Sequence, residues 1–182
     1  MGITSHSLVD LNKAGFNVTI VPYETSFEKI KSLHPDGIFL SKGPGSPKNA
    51  KHAIELVKKL QGKYPIMGCS LGLEIIALAN GLEIKKMKNG HRGSNHSIRC
   101  EKTGKLFVVN QNHGYVIKDF KKKGIEVTCR NVMDGTIEGI DIPAKRVFGV
   151  QYYPIHNVNP EDSDRIIQKF VGYMEEKGVR NA

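Results

Sequence analysis

The segment Tyr64-Pro65-Ile66-Met67-Gly68-Cys69-Ser70-Leu71-Gly72 constrains this chain more than any other. An apolar run enters a tight turn between two glycines, and Leu73–Ala79 continues with a helical apolar pattern. A strand that feeds a sharp Gly-x-nucleophile-x-Gly turn and then a helix is the βα unit of an α/β sheet. Its central side chain is pushed out over the sheet edge, where N–H groups of the helix start can meet a developing oxyanion. Ser70 holds that central place, and the cysteine stands one residue too early.

The rest of the chain repeats the same rhythm. The pattern predicts a helix over Ser5–Ala14 ended by Gly15, a strand over Asn17–Pro22, and a helix over Ser26–Leu33 with Ser26 as N-cap. A buried parallel strand over Gly37–Ser41 then leads into the breaker cluster Gly43-Pro44-Gly45-Ser46-Pro47. A helix over Ala50–Leu60 carries its lysines on the outer face. Beyond residue 83 the pattern changes to short strands and turns: Glu83–Lys88, Ser97–Cys100, Leu106–Gln111, Tyr115–Ile117, Ile125–Cys129 and Thr136–Ile140. Val147–Gln151 reads as a further buried strand and Asp162–Lys177 as a terminal amphipathic helix. The expectation is a three-layer α/β fold with a mainly parallel sheet and a small antiparallel insertion, in one domain spanning 1–182. In such sheets ligands sit beyond the carboxyl ends of the strands, where the Gly43 loop, the Ser70 turn and the segment after Gln151 all fall.

Composition narrows the setting. With 39% hydrophobic and 25% charged residues the chain is an ordinary globule, with no apolar run long enough to span a bilayer. The N-terminus lacks the pattern of a signal peptide. Cys69, Cys100 and Cys129 form neither a metal-ligand spacing nor an even disulfide set, which suits a reducing cytoplasm. The net charge of +9, from 27 basic and 18 acidic residues, favours acidic partners, nucleic acid among them. The basic groups Lys58-Lys59-Lys63, Lys85-Lys86-Lys88 and Lys121-Lys122-Lys123 fall on different elements with no interleaved aromatics, as solvated faces do.

Three longer blocks add a resemblance. They are Pro35-Asp36-Gly37-Ile38-Phe39-Leu40-Ser41-Lys42-Gly43-Pro44-Gly45-Ser46-Pro47, then Lys86–His96, and Gln111-Asn112-His113-Gly114-Tyr115. In this order the chain resembles the class I glutamine amidotransferase domain, most closely the glutaminase domain of carbamoyl phosphate synthetase small subunits, from Gly2 to the C-terminus. The resemblance implies a flavodoxin-like fold. It also implies a cysteine nucleophile at the turn, a histidine base near the C-terminus and a glutamate that orients it. Each of those roles meets a different residue in this chain: Ser70 at the nucleophile, Tyr153 at the base and Ile155 at the orienter. The His-Gln that follows the turn glycine in the family is Leu73-Glu74.

A serine hydroxyl depends wholly on a nearby general base, whereas a thiol carries some thiolate at neutral pH. Tyrosine, with a reference pKa of ~10, is a poor proton acceptor there. Isoleucine orients nothing. The expectation is therefore a site without glutaminase chemistry and without a cofactor or metal. Cys69 reads as a buried filler, because the residue beside the central one points into the sheet. His156 follows the base position in a loop with no acid to orient it, and His91 and His96 flank glycines in a loop without a metal-ligand pattern. His113 belongs by resemblance to the pocket wall.

By the same resemblance, ligand contacts fall on Gly43, Gly45, Leu71, Glu74, Asn112, Gly114 and Tyr115. Glu74 puts a carboxylate where the family carries an amide, which repels an α-carboxylate and invites an amine or cation. The family's first strand, which precedes the segment matching Gly2-Ile3, is absent from this sequence. Either a second copy or a partner chain is expected to cover that gap, or the neighbouring strands close up, and a tight complex with a synthetase large subunit is not expected. The function expected is that of a degenerate amidotransferase domain that binds a small polar ligand or regulates. The alternatives are a Ser70-dependent amidase or a glutaminase of carbamoyl phosphate synthesis and, as a third, a polyanion-binding protein.

Overall fold

The computed structural model describes residues 2, 5–154 and 160–179. Seven strands form one sheet in the order β1 (Ile38–Leu40), β2 (Ile66–Cys69), β7 (Val147–Val150), β6 (Ile137–Ile142), β4 (Leu106–Ile117), β3 (Ile84–Cys100), β5 (Glu126–Asn131). Only β1, β2 and β7 run parallel, with Ile38 opposite Ile66 and Ile66 opposite Val147. The other four pair antiparallel, and β5 returns to pair with β6, which closes β6, β4, β3 and β5 into a barrel-like curl. The expected mainly parallel sheet with a small insertion is thus corrected. The parallel part is three short strands, and the antiparallel part contributes the two longest strands of the sheet.

The helices are α1 (Ser5–Lys13), α2 (Phe27–Ser32), α3 (Lys51–Leu60), α4 (Leu71–Ala79) and α5 (Pro160–Val179). Ser26 caps α2, its hydroxyl accepting from the Lys29 N–H at 3.2 Å. In α3 the buried residues Ala53, Val57 and Leu60 recur at helical spacing, so one stripe meets the core and the lysines meet water. The apolar sequence of α4 matches burial on nearly every side, as a helix packed between sheet and α3 requires. Alternation along the parallel strands divides two cores. Ile66 and Val147 pack with α3 and α4, whereas Met67 and Phe148 pack with Ile166 and Phe170 of α5. Helices therefore cover both faces of the parallel strands.

Two further expectations change. Residues 17–22 form no strand: they pair with nothing in the sheet, and Ile20 and Val21 are exposed. Among the described residues the outer edge of β1 carries no strand either. The two short strands expected around His91 and His96 are instead one strand, β3, which places both histidines inside the sheet rather than in a loop. Register shifts between Lys86 and His91 and between Gly93 and His96 let β3 stay paired with β4 past its glycines. Gly90 is needed there, because a Cβ would lie 2.4 Å from the His113 carbonyl oxygen. Among the described residues no helix is long and apolar enough to cross a membrane.

Candidate functional site

The carboxyl ends of β1, β2 and β7 open on a cleft of about 810 Å3. At its centre is the turn from β2 into α4. Ser70 sits at φ 52°, ψ −111°, a conformation that L residues rarely adopt. Its N–H donates to the Val150 carbonyl at 2.9 Å, and its carbonyl accepts from the Glu74 N–H at 3.1 Å, so the backbone on both sides is fixed. Packing dictates the glycines. A Cβ on Gly72 would lie 2.1 Å from the Leu40 carbonyl oxygen, and one on Gly68 would lie 2.7 Å from the Gly72 carbonyl carbon. The sheet, the turn and α4 approach one another too closely for any side chain at these two positions.

All the expected ligand-contact residues line this cleft: Gly43, Gly45, Leu71, Glu74, Asn112, Gly114 and Tyr115, together with Ser70 and Tyr153. Ile155 and His156 lie outside the described residues. Cys69 is fully buried, its thiol donating to the Tyr152 carbonyl at 3.4 Å. Burial pushes that thiol up to about 12, which removes thiolate at neutral pH and fits the reading of Cys69 as core.

Glu74 changes the chemistry of the floor. Its side chain is buried and accepts from Gln151 Nε2 at 3.0 Å. Burial raises its pKa to about 7, and the Gln151 amide opposes that rise only in part. Gln151 Oε1, also buried, has no donor among the described residues. A protonated Glu74 can supply one, so the pair is best satisfied with the carboxyl neutral. The sequence-based picture of a fixed negative charge is thereby revised to a group that titrates near neutrality.

Sequence reasoning missed the cations of the cleft. Lys42, Lys86 and Arg92 line it with the residues above, and Lys42 Nζ stands 4.5 Å from the centre of the Tyr153 ring. Their signal was present in the sequence, but only the fold brings β1, β3 and the segment after β7 to one rim. Gln111 and His113 join the wall from β4, where Phe107, Val109, Gln111 and His113 alternate inward. That period of two was legible and marks His113 as an inward residue. His113 Nδ1 donates to the Tyr115 carbonyl at 2.9 Å, and Nε2 lies 3.8 Å from Glu138 Oε1.

Comparison with known proteins agrees with this architecture. The family model described as glutamine amidotransferase class-I matches residues 1–173. The chain belongs to the class I glutamine amidotransferases. Among curated relatives, the carbamoyl phosphate synthase pyrimidine-specific small chain of Bacillus subtilis is 42% identical over 174 residues, covering 96% of this chain and 48% of the relative. The carbamoyl phosphate synthase small chain of Bacillus caldolyticus is 41% identical over 180 residues, covering 96% of this chain and 49% of the relative. The chain thus spans about half the length of these relatives. A crystal structure of a candidate GMP synthase subunit from Thermoplasma acidophilum shares the fold at a TM-score of 0.81. It is 19% identical, and the match covers 98% of this chain and 92% of that one.

Proposed function

We propose that this amidotransferase domain holds a small polar ligand in the cleft without hydrolysing glutamine, and serves as a binding or regulatory domain. The observation that carries the reading is the company Ser70 keeps. The base position is Tyr153, a phenol stacked under the Lys42 ammonium, and a neutral phenol is too weak a base to deprotonate a serine. The imidazole that does line the cleft, His113, directs its two ring nitrogens at the Tyr115 carbonyl and Glu138. Losing one member of a nucleophile–base–orienter set already costs orders of magnitude in rate.

The ligand class follows from the lining. Glu74 at the floor receives an amine or an amide, and the rim cations Lys42, Lys86 and Arg92 receive an anionic group. A thermal-shift titration with amino acids and their side-chain amides tests this. A saturable stabilisation that Glu74→Ala removes is expected, and no stabilisation by any of them would contradict it. The carbamoyl phosphate synthase small chains among the relatives bring the further reading of a synthetase subunit, for which co-purification with a large chain is the test. No tight complex is expected from that experiment.

One observation favours a second reading. Ser70 keeps a positive φ that glycine would adopt more readily, and such strain is often retained for chemistry. A Ser70-dependent amidase or hydrolase would be labelled at Ser70 by a fluorophosphonate probe. Absence of labelling is the expected result.

A further inference from the structure

The antiparallel curl brings together three side chains that the sequence keeps far apart. His91 and His113 are cross-strand partners on β3 and β4, and Glu138 reaches them from β6. Their rings pack edge to face, with centroids 4.9 Å apart. Glu138 Oε1 lies 3.4 Å from His91 Nδ1 and 3.8 Å from His113 Nε2. All three donor atoms lie within 4.8 Å of one another. The side chains are 12%, 2% and 0% exposed, in the order His91, His113, Glu138.

The hydrogen bonds around the cluster decide what these atoms can do. His113 Nδ1 faces a carbonyl, the Tyr115 oxygen at 2.9 Å, and must be the nitrogen that carries hydrogen. In the neutral ring the lone pair therefore sits on Nε2, aimed at Glu138. His91 Nε2 meets Asp134 Oδ2 at 3.1 Å, which places hydrogen on Nε2 and leaves Nδ1 turned inward to Glu138, with Asn131 Nδ2 a long 3.5 Å away. Glu138 Oε2 already accepts from Gln111 Nε2 at 2.8 Å. Both Glu138 Oε1 and His113 Nε2 are buried without a hydrogen-bond partner among the described residues. A buried carboxylate facing the His113 lone pair costs several kcal/mol unless a positive charge stands between them.

We propose that His91 Nδ1, His113 Nε2 and Glu138 Oε1 bind a divalent transition metal of the zinc class. Two imidazoles and one carboxylate suit zinc-like ions rather than Mg2+ or Ca2+, which prefer all-oxygen shells. Each histidine has its outer nitrogen held by an acceptor, Asp134 for His91 and the Tyr115 carbonyl for His113. That is the supporting arrangement by which metal-binding imidazoles are oriented. In zinc sites the metal–ligand bonds are about 2.0–2.2 Å long, so neighbouring donors stand somewhat over 3 Å apart. The two separations to Glu138 are close to that, and a bound ion would draw the histidines slightly inward. Zinc bound by three protein ligands takes a water as its fourth.

The test is a Zn2+ titration of the chelator-treated full chain, by calorimetry and by Co2+ absorption. One equivalent is expected, with the visible bands of tetrahedral Co2+. His113→Gln should weaken binding by at least about 100-fold, and Asp134→Asn, which removes only an outer hydrogen bond, by about 10–100-fold. Asp134 is a partly exposed residue whose replacement leaves the core packing intact. Circular dichroism confirms that each variant is folded. His52→Gln, on the distant α3, should leave the affinity unchanged. The proposal is overturned by the absence of saturable binding, or by one-equivalent binding that neither His113→Gln nor Asp134→Asn weakens.

Discussion

Replacing Glu74 by glutamine should make the protein more stable, and more so as pH rises. Glu74 titrates near 4.5 in the unfolded chain and near 7 in the fold, because burial penalises the anion. Between those values the native state binds more protons than the unfolded state, so stability falls with rising pH across that window. The full cost of ionising Glu74 is about 2.5 pKa units at 1.36 kcal/mol each, or about 3 kcal/mol at pH 8. At pH 5 the same linkage leaves less than about 1 kcal/mol. Glutamine cannot ionise, keeps the acceptor for Gln151 Nε2, and offers an N–H to the buried Gln151 Oε1. For a domain of this size about 2–4 °C of melting temperature accompanies each kcal/mol. Glu74→Gln should therefore melt roughly 6–12 °C above wild type at pH 8 and only about 2–3 °C above it at pH 5. Paired thermal melts by circular dichroism at the two pH values check this, and the difference between variant and wild type cancels the titration of groups elsewhere. A gain equal at both pH values, or no gain at pH 8, would refute the claim that the carboxyl is held against its ionised form.

Three further outcomes concern the same turn and core. Ser70→Gly should stabilise the protein by about 1–2 kcal/mol in a denaturant melt, since glycine accepts a φ of 52° without strain; a loss would mean that the hydroxyl is structurally engaged. Gly72→Ala should cost about 3 kcal/mol or more, because its Cβ falls 2.1 Å from the Leu40 carbonyl oxygen and neither the backbone nor α4 has room to retreat. Cys69 and Cys129, both buried and with thiols held well above the ordinary range, should resist iodoacetamide at pH 8 until the chain is unfolded, as read by mass spectrometry of the peptides.

Much of the scaffold was legible because it is local. The turn at Gly68–Gly72 and the five described helices follow from short patterns of breakers, caps and apolar spacing, and they appear within a few residues of where those patterns put them. The cleft was legible through the blocks around Gly43 and Ser70, since a parallel sheet gathers such loops at one end, and through the Asn112 block only by resemblance, because it lies within the antiparallel strand β4. What escaped was nonlocal. Gly90 and Gly93 look like strand breakers, but they serve a close strand approach and register shifts within β3, so the histidines beside them looked like loop residues. Glu138 is one of two acidic residues, with Asp141, in an otherwise apolar strand, and nothing along the sequence pairs it with His91 or His113. Residues 17–22 have the alternation of a strand, yet a strand exists only by its partner, and among the described residues this one has none. The charge on Glu74 depends on burial, which the sequence does not display.

The central claim is that the cleft no longer performs amide hydrolysis. It is tested most directly by ammonia release from glutamine with the purified chain, measured beside Ser70→Ala. The same background rate is expected for both. Glutamine-dependent ammonia release that disappears in Ser70→Ala would contradict the claim.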